Sequence, residues 1–82
     1  MYKENLIENI DKIHTTKLGM ERIKRNLSLE VDDVVLWCKK KIIAKDSIIV
    51  RKGKNYYIKN GSYIITVNLY SYTIITAHKL KI

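Results

Sequence analysis

Apolar residues change their spacing once along this chain, close to Asp46. Before it they recur at helical intervals, and after it they alternate with the two-residue period of strands. Leu6, Ile7, Ile10 and Ile13 fall at i, i+1, i+4 and i+7, which predicts one apolar stripe on a first helix from about Lys3 to Ile13. His14-Thr15-Thr16 interrupts that stripe, and either threonine can cap a second helix whose buried side is Met20, Ile23 and Leu27. A third helix is predicted from Glu30 to Ala44, with Val31, Val34, Val35, Cys38 and Ile42 as its apolar face. Asp32 and Asp33 suit its N-terminus and Lys39, Lys40 and Lys41 its C-terminus, because each sign of charge opposes the helix macrodipole there.

Four segments beyond Asp46 are rich in Ile, Val, Tyr and Thr: Ser47 to Arg51, Asn55 to Lys59, Tyr63 to Asn68 and Tyr72 to His78. They are separated by Gly53, by Asn60-Gly61 and by the link Leu69-Tyr70-Ser71. Asn60-Gly61 is the strongest turn signal, since a type I′ hairpin needs positive φ at both central residues. The expected fold is α+β, a single domain over 1–82 with a helical part (1–46) and a sheet part (47–82). Three N-terminal helices pack on one face of a four-stranded antiparallel β-meander, leaving the other face open. Alternation directs Ile65, Val67, Ile75 and Ala77 into the core. It projects Thr66, Asn68, Tyr72, Thr76 and His78 from the opposite face, with Ile64 and Ile74 between them.

Composition narrows the function classes. The apolar content of 46% is enough for a globular core in a chain of 82 residues. The single cysteine, Cys38, excludes an internal disulfide framework and a multi-cysteine zinc site, and its apolar helical neighbours make it a core thiol. No run of about 18 apolar residues exists to span a membrane, and Met1-Tyr2-Lys3-Glu4 opens no signal peptide, so a cytoplasmic location is expected. Every Asp and Glu lies between Glu4 and Asp46. From Ser47 onward the charged residues are Arg51, Lys52, Lys54, Lys59, Lys79 and Lys81, so the sheet half is purely cationic and its partner should be anionic. That half also lacks the carboxylates that would hold magnesium, and no metal or other cofactor is expected.

A polar, carboxylate-free, basic surface suits phosphodiester chemistry on RNA without metal. Such chemistry needs a base for the 2′-hydroxyl, an acid for the leaving 5′-oxygen, and donors for the phosphate oxygens. His14 and His78 are the histidines of the chain and therefore the candidate base and acid. Arg51 is the candidate phosphate clamp and Thr76 its neighbour on the polar face. Asn68, Tyr70, Ser71, Tyr72, Lys52 and Lys54 are candidate substrate-binding residues, with Tyr70 suited to base stacking. Structural roles compete with each assignment. His14 can serve terminal helix carbonyls, His78 can be solvent-exposed, and Arg51 can shield a sheet edge. The strand tyrosines suit cross-strand pairing, and Trp37 suits helix–sheet packing.

Three segments carry a first resemblance: Glu8-Asn9-Ile10-Asp11-Lys12-Ile13-His14-Thr15-Thr16, Asp32-Asp33-Val34-Val35-Leu36-Trp37-Cys38-Lys39, and Val67-Asn68-Leu69-Tyr70-Ser71-Tyr72-Thr73-Ile74-Ile75-Thr76-Ala77-His78. Over nearly the whole chain they resemble an uncharacterised family of short bacterial proteins, which implies no activity. A looser resemblance rests on Thr73-Ile74-Ile75-Thr76-Ala77-His78 at the end of a helix, helix, meander order. It is similar to the barnase, EndoU, colicin and RelE group of metal-independent ribonucleases, common among bacterial toxins. This resemblance implies active-site roles for Thr76 and His14, although the strands here lack barnase's catalytic glutamate. Together these readings lead to the expectation of a small ribonuclease acting on RNA, as the toxin of a toxin–antitoxin or interbacterial system with an acidic antitoxin as partner. The alternative is a non-enzymatic module that binds nucleic acid or an acidic protein, as a phage or mobile-element regulator or inhibitor would. A homodimer through the open sheet face is compatible with either.

Overall fold

The computed structural model describes residues 2–28 and 31–80. In chain order these form α1 (Tyr2–Glu8), a 3-10 turn (Ile10–Lys12), α2 (Lys17–Leu27), α3 (Val34–Ile43), β1 (Ile48–Lys52), β2 (Asn55–Asn60), β3 (Tyr63–Asn68) and β4 (Ile74–Lys79). The four strands make one antiparallel sheet in the order β1-β2-β3-β4. The chain is thus α+β, with three helices followed by a meander, as the change of period indicates.

Local chemistry sets the helix limits. The first helix stops at Glu8, short of the expected Ile13, and the 3-10 turn carries the stripe onward so that Leu6 and Ile13 are both buried while Ile7 is exposed. Thr16 is the cap of α2, its hydroxyl accepting the Gly19 N–H at 3.0 Å. The third helix begins at Val34 and not at Glu30, which lies outside the described residues. Asp33 is the reason: its Oδ1 accepts the Leu36 N–H at 2.9 Å, and this capping geometry holds Asp33 itself in an extended conformation.

Leu6, Ile13, Ile23, Leu27, Val34, Cys38 and Ile42 from the helical half meet Tyr56, Ile58, Ile65, Val67, Ile74 and Ala77 of the sheet in one apolar cluster. Each fully buried Leu or Ile contributes about 1.5–3 kcal/mol relative to exposure. Burial raises the Cys38 thiol pKa from 9.0 to about 12, so it stays protonated and acts as a small apolar side chain. At the other edge of this core Trp37 meets Tyr63 edge-to-face at 5.1 Å, and the Lys41 ammonium lies over both rings at 5.4 and 5.2 Å.

Two expectations about the sheet are corrected. Ile74, not Ile75, enters the core, and Ile75 is 40% exposed. A register irregularity between Thr66 and Val67 pairs Thr66 with Thr76 but Val67 with Ile74, so the extra residue in β4 reverses the alternation there. The second hairpin is also not the type I′ turn expected of Asn60-Gly61. Asn60 belongs to β2, pairs with Tyr63, and donates from Nδ2 to Asp46 Oδ1 at 2.9 Å. The two-residue loop is therefore Gly61-Ser62, with positive φ (+59°) at Gly61 alone.

Candidate functional site

The β3–β4 connection is built around Asn68. Its Oδ1 accepts the N–H groups of Tyr70 and Ser71 at 2.9 Å each and lies 3.1 Å from the Ser71 hydroxyl. Its backbone N–H donates to Thr73 O at 2.9 Å, and its carbonyl accepts the Tyr72 N–H at 3.0 Å. This is the local competition for backbone donors that makes asparagine a turn residue. Tyr72 leaves the turn with φ +58°, a left-handed conformation that the surrounding hydrogen bonds enforce. A further bond, Leu69 N–H to Lys54 O at 2.7 Å, ties the turn to the first hairpin.

His14 docks onto this turn through its backbone. Its N–H donates to Tyr72 O at 3.2 Å and its carbonyl accepts the Ile74 N–H at 2.7 Å, a parallel bridge opposite Thr73. Thr15, left free because Thr16 does the capping, donates from Oγ1 to Ile74 O at 3.0 Å. The imidazole then lies 2.8 Å by Nδ1 from Lys12 O and 3.0 Å by Nε2 from Thr73 Oγ1. Thr73 Oγ1 is in turn 2.8 Å from Ser71 Oγ. The result is a continuous surface chain: Lys12 carbonyl, imidazole, threonine, serine, asparagine.

Proton accounting defines what this chain can do. A carbonyl only accepts, so His14 Nδ1 carries a hydrogen. In a neutral ring Nε2 is then an acceptor, Thr73 donates to it, and Ser71 donates to Thr73. In an imidazolium Nε2 donates to Thr73, Thr73 to Ser71, and Ser71 to Asn68 Oδ1. One proton taken up at Nε2 therefore reverses the His14–Thr73 and Thr73–Ser71 hydrogen bonds and turns the Ser71 hydroxyl to Asn68 Oδ1, without moving a heavy atom. An imidazole whose Nδ1–H is anchored on a backbone carbonyl and whose Nε2 faces a hydroxyl at the surface has the arrangement of a general base.

Cations flank it. The Lys12 ammonium stands over the Tyr72 ring, 5.7 Å from its centroid. Lys52, Asn55 and Asn68 are aligned across three adjacent strands with Thr73 and then His14 beyond, so Lys52 lies about four strand spacings, about 19 Å, from His14. Lys54 is held to the turn by its own carbonyl, and Tyr70 projects from it, 72% exposed.

Of the residues expected at the site, His14, Asn68, Ser71 and Tyr72 come together, with Tyr70, Lys52 and Lys54 at the same end of the sheet. The other three stand apart. His78 is opposite Ile64, five residues along the strand from Thr73, or about 16 Å. Thr76 accepts the Asn26 Nδ2 of α2 at 3.3 Å. Arg51 pairs with Tyr56, which puts it on the opposite side of the sheet from Lys52. Thr73 and Lys12 also belong to the cluster, although the sequence pattern singles out neither. The adjacency of Thr73 to the Asn68–Ser71 link was the available signal. Among the described residues no group of His, Cys, Asp and Glu is arranged to hold a metal ion.

A family model described as a protein of unknown function (DUF3781) matches residues 7–78. The chain belongs to that family. No curated protein and no solved structure matches it. The DUF3781 match takes in the whole hydrogen-bonded chain from Lys12 and His14 to Asn68 and Thr73, and ends on His78. No helix among the described residues is long and apolar enough to cross a membrane.

Proposed function

We propose that this protein is a small metal-independent ribonuclease whose reactive centre is His14, with Thr73, Ser71 and Asn68 behind it. The observation that carries the reading is the exposed imidazole anchored by the Lys12 carbonyl, with the Lys12 ammonium over Tyr72 beside it. In the proposed step the substrate 2′-hydroxyl replaces Thr73 at Nε2 and gives up its proton there. The 2′-oxygen bonds to phosphorus, the P–O5′ bond breaks, and the departing 5′-oxygen takes a proton from solvent. The products are a 2′,3′-cyclic phosphate and a 5′-hydroxyl. Lys12 and, at the turn, Lys54 offset phosphate charge, and Tyr70 offers a ring for a base.

The reading changes the assignment of roles, since His78 at about 16 Å along the strand is beyond the reach of a phosphate held at His14. It takes the three helices to cover the sheet face that carries Ile58 and Ile65, leaving the Tyr57 and Ile64 face free. It retains a cytoplasmic toxin of a toxin–antitoxin or interbacterial system as the biological setting. The test is cleavage of RNA by purified protein in EDTA, with cyclic-phosphate ends, abolished in His14→Ala. Undiminished cleavage by that variant overturns the assignment.

One observation favours the second reading, a non-enzymatic RNA-binding module: both ring nitrogens of His14 are already engaged within the fold. On that reading the purified protein binds RNA in a salt-sensitive manner and leaves it intact.

A further inference from the structure

The face of the sheet opposite the core carries aliphatic side chains in the open. By register, Ile48, Lys59, Ile64 and His78 form one row across the sheet, and Val50, Tyr57, Thr66 and Thr76 the next. Ile48 is 60% and Val50 53% exposed, and Ile64 and Tyr57 are half-buried. Val50, Lys52, Tyr57 and Ile64 line an open depression of about 490 Å³. Exposed apolar area gathered in one concave place marks an interaction surface more than scattered residues do.

From this we infer that the open face is a docking surface for an acidic amphipathic segment of another protein. The inference goes beyond the ribonuclease reading and does not depend on it. Two features select the occupant. The floor is aliphatic, so it takes leucine or valine side chains. It offers little to a nucleotide, whose phosphates need donors and whose bases need more than the single ring of Tyr57. The rim is cationic, with Lys52 and Lys59 on the face itself and no Asp or Glu anywhere from Ser47 to Ile82, so carboxylates beside the apolar side chains are complemented and lysines repelled. The same charge argues against a second copy of this chain, which would set these lysines against their own equivalents. A helix with leucines at i, i+3/i+4 and i+7 flanked by glutamates meets both requirements.

The experiment uses the full chain and three synthetic peptides: that glutamate-flanked leucine helix, the same sequence with lysines for glutamates, and the same with serines for leucines. Titration followed by amide chemical shifts should give saturable binding of the first alone, with the largest changes at Val50, Tyr57 and Ile64 and weakening as salt rises. Val50→Asp, an exposed edge-strand change whose folding is checked by its melting curve, should weaken binding by about ten-fold or more. RNA cleavage by Val50→Asp should match wild type, so loss of docking and failure of the ribonuclease reading are read separately. Equal binding of the lysine or serine peptide, shifts clustered elsewhere, oligouridylate competing for these same residues, unchanged affinity in Val50→Asp, or self-association through this face would each overturn the inference.

Discussion

The two histidines stand at opposite ends of β4 and are held in opposite ways. His14 lies beside Thr73, its backbone bridged to the strand and both ring nitrogens occupied, one by a carbonyl and one by a hydroxyl. His78 projects beside Ile64 near the other end, exposed, its ring without a hydrogen-bond partner among the described residues. Composition makes them equivalent as proton carriers. Their surroundings do not, because a base is useful when its tautomer and orientation are fixed before substrate arrives, and a carbonyl at Nδ1 fixes both. The difference comes from sequence-distant pairing, since His14 meets its partner across 59 positions while His78 ends a strand and meets solvent.

The strongest way to break this comparison is to remove each ring in turn. His14→Ala should lower RNA cleavage by about 100-fold or more, the usual worth of a positioned proton-transfer group. His78→Ala should stay within about two-fold of wild type, because a group that far from the reacting phosphate contributes neither proton nor binding. Cleavage assays at matched protein and salt decide it, and comparable losses in both variants would restore the two-histidine mechanism. Cleavage should persist in EDTA.

The next largest effect falls on the turn that presents Thr73 to His14. Asn68→Ala leaves two backbone N–H groups and a hydroxyl without their acceptor, at a cost of about 1–3 kcal/mol. For a domain of this size each kcal/mol lowers the melting temperature by about 4–8 °C. Asn68→Asp keeps the acceptor oxygen and should recover most of the loss. If both variants melt alike, the turn is held by its backbone bonds and the side chain is incidental.

Much of this architecture was legible in the sequence, because a single change of period separates helices from meander and the strand residues are those that suit a pleated surface. What failed was local. Ile74 and Ile75 exchanged places because one extra residue in β4 shifts the alternation, and nothing in Ile74-Ile75 marks a bulge. Asn60-Gly61 reads as a two-residue loop, yet Asn60 stays in the strand because its side chain has Asp46 to bond. In the site, Asn68, Ser71 and Tyr72 stood out as a polar group and His14 as an isolated imidazole. Thr73 did not, because counting the strand from Tyr72 made it an ordinary β-branched residue. Alternation alone makes the polar face look like one site, although residues can share a sheet face and still lie several rows apart, as Asn68 and His78 do.

A smaller prediction sharpens the comparison at the hydroxyls. Thr73→Val keeps the shape of the side chain and removes its donor, so it should cost about 1 kcal/mol and leave His14 Nε2 without its internal partner. Cleavage should change by no more than about three-fold, because the substrate 2′-hydroxyl takes the place of Thr73 at Nε2 and the Lys12 carbonyl holds the ring. Ser71→Ala alone should cost only about 0.5 kcal/mol, because Asn68 retains its two backbone donors. The informative quantity is their coupling. With neutral His14 the single Ser71 proton is committed to Thr73, and Thr73→Val releases it to Asn68 Oδ1, so Ser71→Ala removes one hydrogen bond in either background and the two changes add. With the imidazolium, Ser71 already donates to Asn68 and accepts from Thr73, so the valine change removes a bond from Ser71 and Ser71→Ala becomes less costly. A double-mutant cycle by thermal or urea denaturation should therefore give a coupling energy near zero with neutral His14 and of about 0.5–1 kcal/mol, one hydrogen bond, with the imidazolium. A coupling of zero under both conditions would mean that the three hydroxyl and imidazole groups are neighbours and not a chain.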